Sequence, residues 1–488
     1  MNDAPWMNET AWRGKLDLNG WKPGAAGSFD VTDKATGEPL SRLSLATPED
    51  VAEAARIARE MQPKWYGMPY DDRARIFRRA AVLIEDNMDE LATWIMRETG
   101  AIRPKADVEL KMAAGILNAS ANMPTEAQGL LLPSNQGRIS LARRLPHGVV
   151  GVIAPFNFPL ILAIRAVSPA LATGNTVVLK PDPQTAAAGG ALIARLFEEA
   201  GLPEGALHVL PGGAEVGQAI CTDSNIAMVA FTGSTAAGRR VGELCGKHLK
   251  KVSLELGGKN SLIVLDDADP DLAASSAAFG AWLHQGQICM ASGRILVSEK
   301  IAGELVRRLV DKANHLPVGD PMSGKVALGP LISERQVKHV HSIVRESVAA
   351  GAKLSAGGTF DKLFYKPTVI DNVKPGMRAF EEEIFGPVAS VTSFSTDDEA
   401  IRLANQTEYG LSAAVISRSI GRAMAIGNRL YTGLLHINDQ TVHDEPHIPF
   451  GGRGASGNGG RIGGPANWEE FTQWQWVTIK DSPPRYPF

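Results

Sequence analysis

The stretch VVGVIAPFNFP, residues 149–159, decides the predicted fold. Its first residues, 149–154, form a short apolar run, the pattern of a strand that is buried on both faces of a parallel sheet. Four similar runs follow, at residues 176–179, 207–210, 228–231 and 252–256. Helical stretches separate these runs, at residues 160–171, 186–200, 215–221 and 236–245. Strands that alternate with helices in this way predict an α/β protein with a doubly wound parallel sheet.

Polar residues stand where these predicted strands end. Asn157 follows the first strand, Lys180 the second, Gly233 and Ser234 the fourth, and Glu255 lies in the fifth. In a doubly wound sheet, ligands bind beyond the carboxyl ends of the strands, and the free amides that begin a following helix can hold a phosphate. Taken singly, Lys180 could be a solvated charge and Asn157 a turn residue. Their joint placement favours a binding site at this edge of the sheet.

Cys289 is the candidate nucleophile of this site. It lies in the stretch HQGQICM, residues 284–290, where Gly286 lets the backbone approach a ligand closely. A lone cysteine is most often a small core residue, but a deprotonated thiol in this place could attack a bound electrophile. Glu255 lies inside an apolar run, where burial would raise the pKa of its carboxyl and suit it to take and return a proton. The pattern predicts a thiol nucleophile that is served by a carboxylate base.

Composition places the chain among soluble multidomain proteins. Its 488 residues favour two or three domains, and a net charge of −3 gives no electrostatic argument for a nucleic-acid or membrane partner. The start, MNDAPW, lacks the pattern of a signal peptide, and the longest apolar stretch, residues 148–163, is interrupted by prolines. Three cysteines without a CxxC pair predict neither a disulfide framework nor a metal site. We therefore expect a cytoplasmic protein.

Two further regions lie outside the predicted sheet. Thr47 and Asp50 predict a capped helix start, and helical periodicity then continues until Gly100, which ends the last helix of this region. Residues 126–147 are turn-rich with short strands, and an apolar strand candidate follows near the end of the chain, at residues 474–479. An exposed strand needs a partner, so we interpret both segments as an extension that pairs subunits. A plain surface hairpin is the alternative for residues 126–147.

Six motifs follow one another in the chain: PFNFP at 155–159, FTGST at 231–235, ELGGK at 255–259, GQIC at 286–289, EEIFGP at 382–387 and PFGG at 449–452. Together they resemble the aldehyde dehydrogenase superfamily, and the resemblance covers nearly the whole chain. The spacing from Glu255 to Cys289 is also similar to that of the family. Within the superfamily, residues 154–182 and 284–290 look most like those of benzaldehyde and vanillin dehydrogenases.

The resemblance implies a catalytic centre and a fold. Cys289 would be the nucleophile, Glu255 the general base, and Asn157 with the amide of Cys289 the oxyanion hole. The fold would comprise a Rossmann-type parallel-sheet cofactor domain, an α/β catalytic domain and a small β oligomerisation extension. In that order, the three units would take residues 1–125 with 148–255, residues 256–455, and residues 126–147 with 456–488.

The resemblance also implies a nicotinamide dinucleotide as cofactor. Its residues would be Lys180 at the adenosine ribose, Gly233 and Ser234 at the pyrophosphate, Glu383 at the nicotinamide ribose and Phe385 beside the nicotinamide, with Pro155 and Phe156 in the same set. Many family members that prefer NAD carry Lys-Pro-Ser-Glu, whose glutamate repels a 2′-phosphate. Pro183 stands at that position in this chain. We therefore expect NAD as the cofactor and NADP to be accepted as well.

The predicted substrate residues flank the motifs and are mostly apolar: Phe158, Ile161, Leu162, Arg165, Ile288, Met290 and Phe450. Such side chains could line a tunnel for an aromatic ring, although several of them could equally be ordinary core residues. Arg165 differs from the others, because its charge could reach a ring substituent or simply pair with a carboxylate.

The predicted function is the NAD(P)-dependent oxidation of an aromatic aldehyde, such as benzaldehyde or vanillin, to the carboxylic acid in a homodimer or homotetramer. The reaction would pass through a thiohemiacetal and a thioester on Cys289. The alternatives are a thiol esterase that uses Cys289 and Glu255 without redox chemistry, an aldehyde dehydrogenase for another aldehyde class, acyl transfer to coenzyme A, and a non-catalytic structural protein. The phosphate-binding turn and Glu383 argue against the esterase, and Glu255 favours water over coenzyme A as acyl acceptor.

Overall fold

The computed structural model of the chain describes residues 6–134 and 137–488. Residues 1–5 of the start MNDAPW, from which we predicted the absence of a signal peptide, lie outside these ranges. The helices are α1 (Pro48–Tyr66), α2 (Tyr70–Asp86), α3 (Met88–Thr99), α4 (Arg103–Asn122), α5 (Pro159–Ala172), α6 (Leu192–Ala200), α7 (Ala214–Thr222), α8 (Thr235–Lys247), α9 (Pro270–Trp282), α10 (Glu299–His315), α11 (Glu334–Ala349), α12 (Arg378–Glu381), α13 (Asp397–Asn405), α14 (Ile420–Gly427) and α15 (Ala466–Phe471).

The strands are β1 (Leu16–Asp17), β2 (Trp21–Lys22), β3 (Ser28–Thr32), β4 (Pro39–Ser44), β5 (Gly129–Leu132), β6 (Ile139–Pro146), β7 (Val149–Ile153), β8 (Thr176–Lys180), β9 (Leu207–Val209), β10 (Ile226–Gly233), β11 (Lys251–Leu256), β12 (Ser261–Val264), β13 (Arg294–Ser298), β14 (Lys353–Ala356), β15 (Phe360–Asp361), β16 (Phe364–Tyr365), β17 (Thr368–Asp371), β18 (Val388–Phe394), β19 (Tyr409–Gly410), β20 (Ser412–Ile416), β21 (Leu434–Ile437), β22 (Arg453–Gly454) and β23 (Thr472–Ile479).

The first sheet confirms the predicted α/β class. Its strand order is β11-β10-β7-β8-β9-β1-β2, and the strands from β11 to β9 are the parallel ones predicted from the apolar runs. All residues of β7 and β8 are buried, as expected for strands with helices on both faces. The strand order reverses between β7 and β10. The crevice outside the carboxyl ends of these two strands is where such a sheet binds ligands.

The alternation of side chains along β7 explains how the helices divide between the two faces of this sheet. Val150 and Val152 pack into a core with α2, α4, α5 and α6. Val149 and Ile153 point to the other face and pack with α1, α7 and α8. The predicted start of α1 is confirmed, because Thr47 and Asp50 form a capping box. The Asp50 amide donates to the Thr47 hydroxyl, and the Thr47 amide donates to the Asp50 carboxylate.

One predicted helix, residues 186–200, begins differently from expectation. Its first part, Ala187–Ala191, is a π-helical turn, and the α-helix α6 starts only at its end. The glycines in this turn allow close packing, because a Cβ added to Gly189 would lie 2.9 Å from the Cβ of Pro159 at the start of α5. The buried carboxylate of Glu98 accepts hydrogen bonds from the first two amides of the turn, at 2.9 and 2.6 Å.

The second sheet has the order β14-β17-β18-β13-β12-β20-β21 and is parallel except for β14. Helices α11, α13 and α14 pack on one face, and α9 and α10 pack on the other. The segment with Cys289 connects α9 to β13, and the motif with Glu383 leads into β18. This sheet therefore supplies the second half of the predicted site.

A third, antiparallel sheet joins β5, β6 and β23, and residues 135–136 of its predicted hairpin lie outside the described residues. The late strand β23 pairs with β6 along its whole length, from Thr472 opposite Pro146 to Ile479 opposite Ile139. One edge of β23 is thus paired within the same chain, by β6. Large apolar side chains of the sheet remain exposed: Leu130, Leu131, Ile139, Trp474, Trp476 and Ile479. Among the residues that the structure describes, no helix has the length and apolar character needed to cross a bilayer.

Candidate active site

Asn157 is held in the turn between β7 and α5. The N-cap residue of α5 makes no side-chain cap, and the backbone N–H groups of Leu160 and Ile161 instead donate to Glu109 Oε1, at 2.9 and 3.3 Å. Lys105 Nζ donates to Glu109 Oε2 at 2.5 Å, and both of these side chains are buried. A carboxylate is favoured at free N-terminal amides by hydrogen bonding and by the helix dipole. These contacts fix the turn that carries Asn157.

The loop that leads to Cys289 has a strained backbone. His284, Gln285 and Gly286 have φ values of +48°, +55° and +67°, in the left-handed region that residues other than glycine rarely occupy. A side chain does not fit at the last of these positions, because a Cβ added to Gly286 would lie 2.2 Å from the carbonyl oxygen of Gly386. Gly286 was predicted to let the backbone approach a ligand closely. In the structure it lets the loop approach the backbone at Gly386.

Side-chain amides hold this loop against other parts of the fold. Gln285 Nε2 donates to the carbonyl oxygens of Gly100 and Pro330, at 2.7 and 3.1 Å. Asn157 Nδ2 donates to the carbonyl oxygen of Gln287 at 2.9 Å. Since Asn157 follows a strand of the first sheet and Gln287 precedes a strand of the second, this bond brings the two halves of the predicted site together.

Glu255 is a buried carboxyl near the end of β11. Neither of its carboxylate oxygens has a hydrogen-bond partner among the described residues. Burial raises the pKa of this carboxyl well above its ordinary value, and the positive charges of Arg165 and Arg461 oppose the rise. Glu255 can therefore bind a proton at higher pH than an exposed glutamate, which is the property expected of a general base that must also return its proton.

Cys289 is the cysteine that faces open space. Burial raises the pKa of its thiol to about 12, the charge of Glu383 adds to the rise, and the charge of Arg165 opposes it. The resting thiol is therefore protonated at neutral pH and needs a base before it can attack. Cys221 and Cys245, in contrast, are fully buried in the core.

Asn157, Glu255 and Cys289 line one cavity of about 440 Å³. Ten further residues that the sequence predicted for cofactor or substrate binding belong to the same wall: Pro155, Phe156, Leu162, Arg165, Lys180, Gly233, Ser234, Glu383, Phe385 and Phe450. The fold thus brings together groups that are spread over nearly 300 residues of the chain.

Four predicted substrate residues do not lie on this wall. Phe158, Ile288 and Met290 pack with Phe450 in an apolar cluster beside the cavity. Ile161 belongs to the core between α5 and its neighbouring helices. Contact of these four side chains with a substrate stays a prediction.

The donor groups of the cavity suit a dinucleotide. The ammonium group of Lys180 has one long hydrogen bond among the described residues, to the carbonyl oxygen of Pro181 at 3.5 Å. Ser234 is the N-cap of α8, so the positive end of that helix lies at the wall. Glu383 accepts a hydrogen bond from the Gly258 amide at 3.0 Å and keeps lone pairs for further donors. A cation, a helix N-terminus and a carboxylate match the hydroxyls and phosphates of such a cofactor.

Arg165 projects from α5 onto the cavity wall. Its guanidinium pairs with Asp444 and lies 4.5 Å from the ring centre of Phe450. Burial lowers the pKa of Arg165 to about 10, so the group stays cationic at neutral pH. Of the two roles considered from the sequence, pairing with a carboxylate is present in the structure. Asp444 was not predicted from the sequence, because it stands between His443 and Glu445 in a charged stretch and matches no motif.

The family model described as "Aldehyde dehydrogenase family" matches residues 21–477. The chain belongs to the aldehyde dehydrogenase family. This finding confirms the resemblance that six separate motifs carried. It also agrees with the geometry, because the thiol, carboxyl and amide groups of those motifs line one cavity together with the groups predicted to bind a dinucleotide.

Several similar proteins are named for aromatic aldehydes. A vanillin dehydrogenase of Amycolatopsis sp. is 51% identical over 484 residues, which cover 99% of this aldehyde dehydrogenase and 100% of the relative. A benzaldehyde dehydrogenase (NAD+) of Pseudomonas putida is 51% identical over 478 residues, or 98% of each chain. The crystal structure of a salicylaldehyde dehydrogenase from Pseudomonas putida G7, complexed with salicylaldehyde, has a TM-score of 0.93 and 35% identity, over 97% of this chain and 99% of that one.

The structure adds residues of α11 that the sequence analysis missed. Arg335, Gln336 and His339 line the cavity of this aldehyde dehydrogenase. Gln336 Nε2 donates to the carbonyl oxygen of Phe385 at 2.9 Å, so the helix braces the segment that carries a predicted cofactor residue. In the sequence these three residues form the polar side of an ordinary amphipathic helix, which gives no signal of function.

Replacing Gly286 by alanine tests the importance of the strained loop. We expect Gly286→Ala to lower kcat/KM by roughly a hundredfold, because the added methyl group must displace the loop that positions Cys289. Steady-state reduction of NAD with benzaldehyde measures the effect. Gly303→Ala is the matched control, since its Cβ would meet nothing within 4 Å. Wild-type kcat/KM in Gly286→Ala would show that the loop geometry does not limit the reaction.

Proposed function

We propose that this aldehyde dehydrogenase uses NAD to oxidise aromatic aldehydes, such as benzaldehyde or vanillin, to carboxylic acids. The observation that carries the proposal is that Asn157, Glu255 and Cys289 share one cavity with the groups that suit a dinucleotide. Full-length identity of 51% to a vanillin and a benzaldehyde dehydrogenase supports the aromatic class. The apolar side chains of Leu162 and Phe450 on the wall suit an aromatic ring.

Covalent catalysis would begin at the sulfur. Glu255 takes the proton of the Cys289 thiol, and the thiolate attacks the carbonyl carbon of the aldehyde and forms a thiohemiacetal. Asn157 has two amide N–H donors, and Gln287 takes only one of them, so the other can hold the developing oxyanion together with the amide of Cys289. One such donor typically stabilises the transition state by ~3 kcal/mol. The charge of Arg165 favours the thiolate, because it lowers the pKa of the thiol.

NAD would supply the hydride acceptor. The chain would hold its adenosine ribose through Lys180, its pyrophosphate through Gly233 and Ser234, and its nicotinamide ribose through Glu383. Three further residues would surround it: Pro155, Phe156 and Phe385. Loss of hydride leaves a thioester on Cys289. Glu255, after it has released the thiol proton to solvent, removes a proton from water, which attacks the thioester and releases the acid and the Cys289 thiolate. A carboxyl with a raised pKa suits this step because it is basic enough to accept the proton.

An esterase without redox chemistry would need the thiol and Glu255 but no dinucleotide site. The buried ammonium of Lys180 and the half-buried carboxylate of Glu383 then have no role, although desolvating either charge costs free energy. We therefore favour the dehydrogenase over the esterase.

We infer a homodimer or homotetramer from the third sheet. Leu131 and Trp476 expose 76% and 69% of their surface, which is unusual for large apolar side chains on two strands of one sheet. In this proposal, residues 126–147 and 456–488 pair subunits, residues 1–125 and 148–255 bind the cofactor, and residues 256–455 carry the catalytic cysteine. A cytoplasmic location belongs to the same proposal.

A panel of aldehydes tests the proposed substrate class. We expect kcat/KM for benzaldehyde and vanillin to exceed that for acetaldehyde and hexanal by more than about tenfold, a difference of ~1.4 kcal/mol, because a flat ring fills an apolar cavity better. The rate of NAD reduction is the readout. Cys289→Ser is the control that must abolish it. A preference for the aliphatic aldehydes would refute the aromatic assignment.

A second test concerns the cofactor. NADP should work with a kcat/KM within roughly a thousandfold of that for NAD, ~4 kcal/mol, because Pro183 provides no carboxylate against a 2′-phosphate. NAD should remain preferred, since the Asp182 carboxylate lies on the same wall as Lys180. Pro183→Glu adds the missing carboxylate and should lower the ratio of NADP to NAD activity by about tenfold or more. An unchanged ratio would mean that this position does not contact the adenosine ribose.

A further inference from the structure

The pair of Arg165 and Asp444 joins α5 to the segment that precedes Phe450. Only 9% and 12% of the two side chains are exposed. A buried ion pair contributes little net stability, because the free energy of desolvating two charges offsets their attraction. The fold alone therefore gives a weak reason for placing these charges beside an apolar ring.

The contact between Arg165 and Asp444 does not use all the hydrogen-bonding groups of the two side chains. Asp444 contacts Arg165 through Oδ2, while Oδ1 is buried and has no partner among the described residues. A guanidinium carries five N–H donors, more than one carboxylate oxygen can accept. Arg165 thus keeps N–H donors for a further polar group.

The pair is also close to the reacting centre. Arg165 shares the cavity wall with Leu162, Phe450 and Cys289. Its charge acts on both Cys289 and Glu255. An aldehyde whose carbonyl carbon lies at the sulfur would extend its ring along this wall.

We propose that Asp444, together with Arg165, selects aromatic aldehydes that carry a hydroxyl group on the ring. This inference rests on the proposed function and narrows its substrate class. Arg165 is the member of the pair that lines the cavity, so a phenolic oxygen can accept a hydrogen bond from an N–H group of Arg165, and Asp444 holds that guanidinium in place. An unsubstituted ring leaves those N–H groups of Arg165 without a partner, and the charge of Asp444 offsets the charge of Arg165 that would attract a ring carboxylate.

The test compares kcat/KM for benzaldehyde, the three hydroxybenzaldehydes and 3- and 4-carboxybenzaldehyde. In the wild type, at least one hydroxybenzaldehyde should exceed benzaldehyde by about tenfold or more. Asp444→Ala should lower that ratio by about tenfold and raise the ratio of a carboxybenzaldehyde to benzaldehyde by about as much, because Arg165 loses its counter-charge. A gain with a new substrate does not arise from partial unfolding. Asp444→Asn, which keeps the shape of the side chain, should change both ratios in the same directions.

Ratios are the proper readout, because any effect of Asp444 on the reactivity of Cys289 is common to every aldehyde. Glu445→Ala is the matched control: this neighbouring carboxylate contacts His443 and His447, at 3.3 and 3.2 Å, and makes no ion pair with Arg165. Its ratios should equal those of the wild type. Wild-type ratios in both Asp444 variants would overturn the inference and leave the pair a structural one. Absence of activity with every aromatic aldehyde in the wild type would instead overturn the proposed function.

Discussion

One hydrogen bond, from Asn157 Nδ2 to the carbonyl oxygen of Gln287 at 2.9 Å, joins the two halves of the site. Asn157 follows a strand of the first sheet, and Gln287 belongs to the loop that leads into the second. Glu109 fixes the first partner through the amides of α5, and the left-handed turn at residues 284–286 fixes the second. The distance between oxyanion donor and thiol therefore depends on buried polar contacts and a strained turn as well as on apolar packing.

The same burial that shapes the site sets its charges. It raises the pKa of Glu255 and of Cys289, because it disfavours the charged form of each group. Arg165 is the cation that opposes both shifts, and Asp444 balances its charge in turn. Such an arrangement costs stability, since each buried polar group must be desolvated on folding. Proteins accept that cost where a group must change its protonation state during a reaction.

The first sheet was predictable because parallel strands buried on both faces appear in the sequence as continuous apolar runs. Asn157, Glu255 and Cys289 were predictable because each lies in a motif that follows or ends an element. Apolar neighbours of a motif were harder, since a side chain on a cavity wall and one in the core look alike in sequence. Asp444 could not be predicted, because its partner Arg165 lies 279 residues away and only the fold brings them together.

The most direct test of the covalent route is intact mass spectrometry and peptide mapping of Glu255→Gln after incubation with NAD and benzaldehyde. Without Glu255 the thiol must lose its proton to solvent, so acylation is slower but still proceeds, while water is no longer activated. Over a long incubation one acyl group per chain should therefore accumulate on Cys289, in step with one equivalent of reduced nicotinamide. The Glu255→Gln chain with Cys289→Ala as a second change should carry none. Acyl groups on Cys221 or Cys245, or continued turnover of benzaldehyde without any acylated cysteine, would contradict the account.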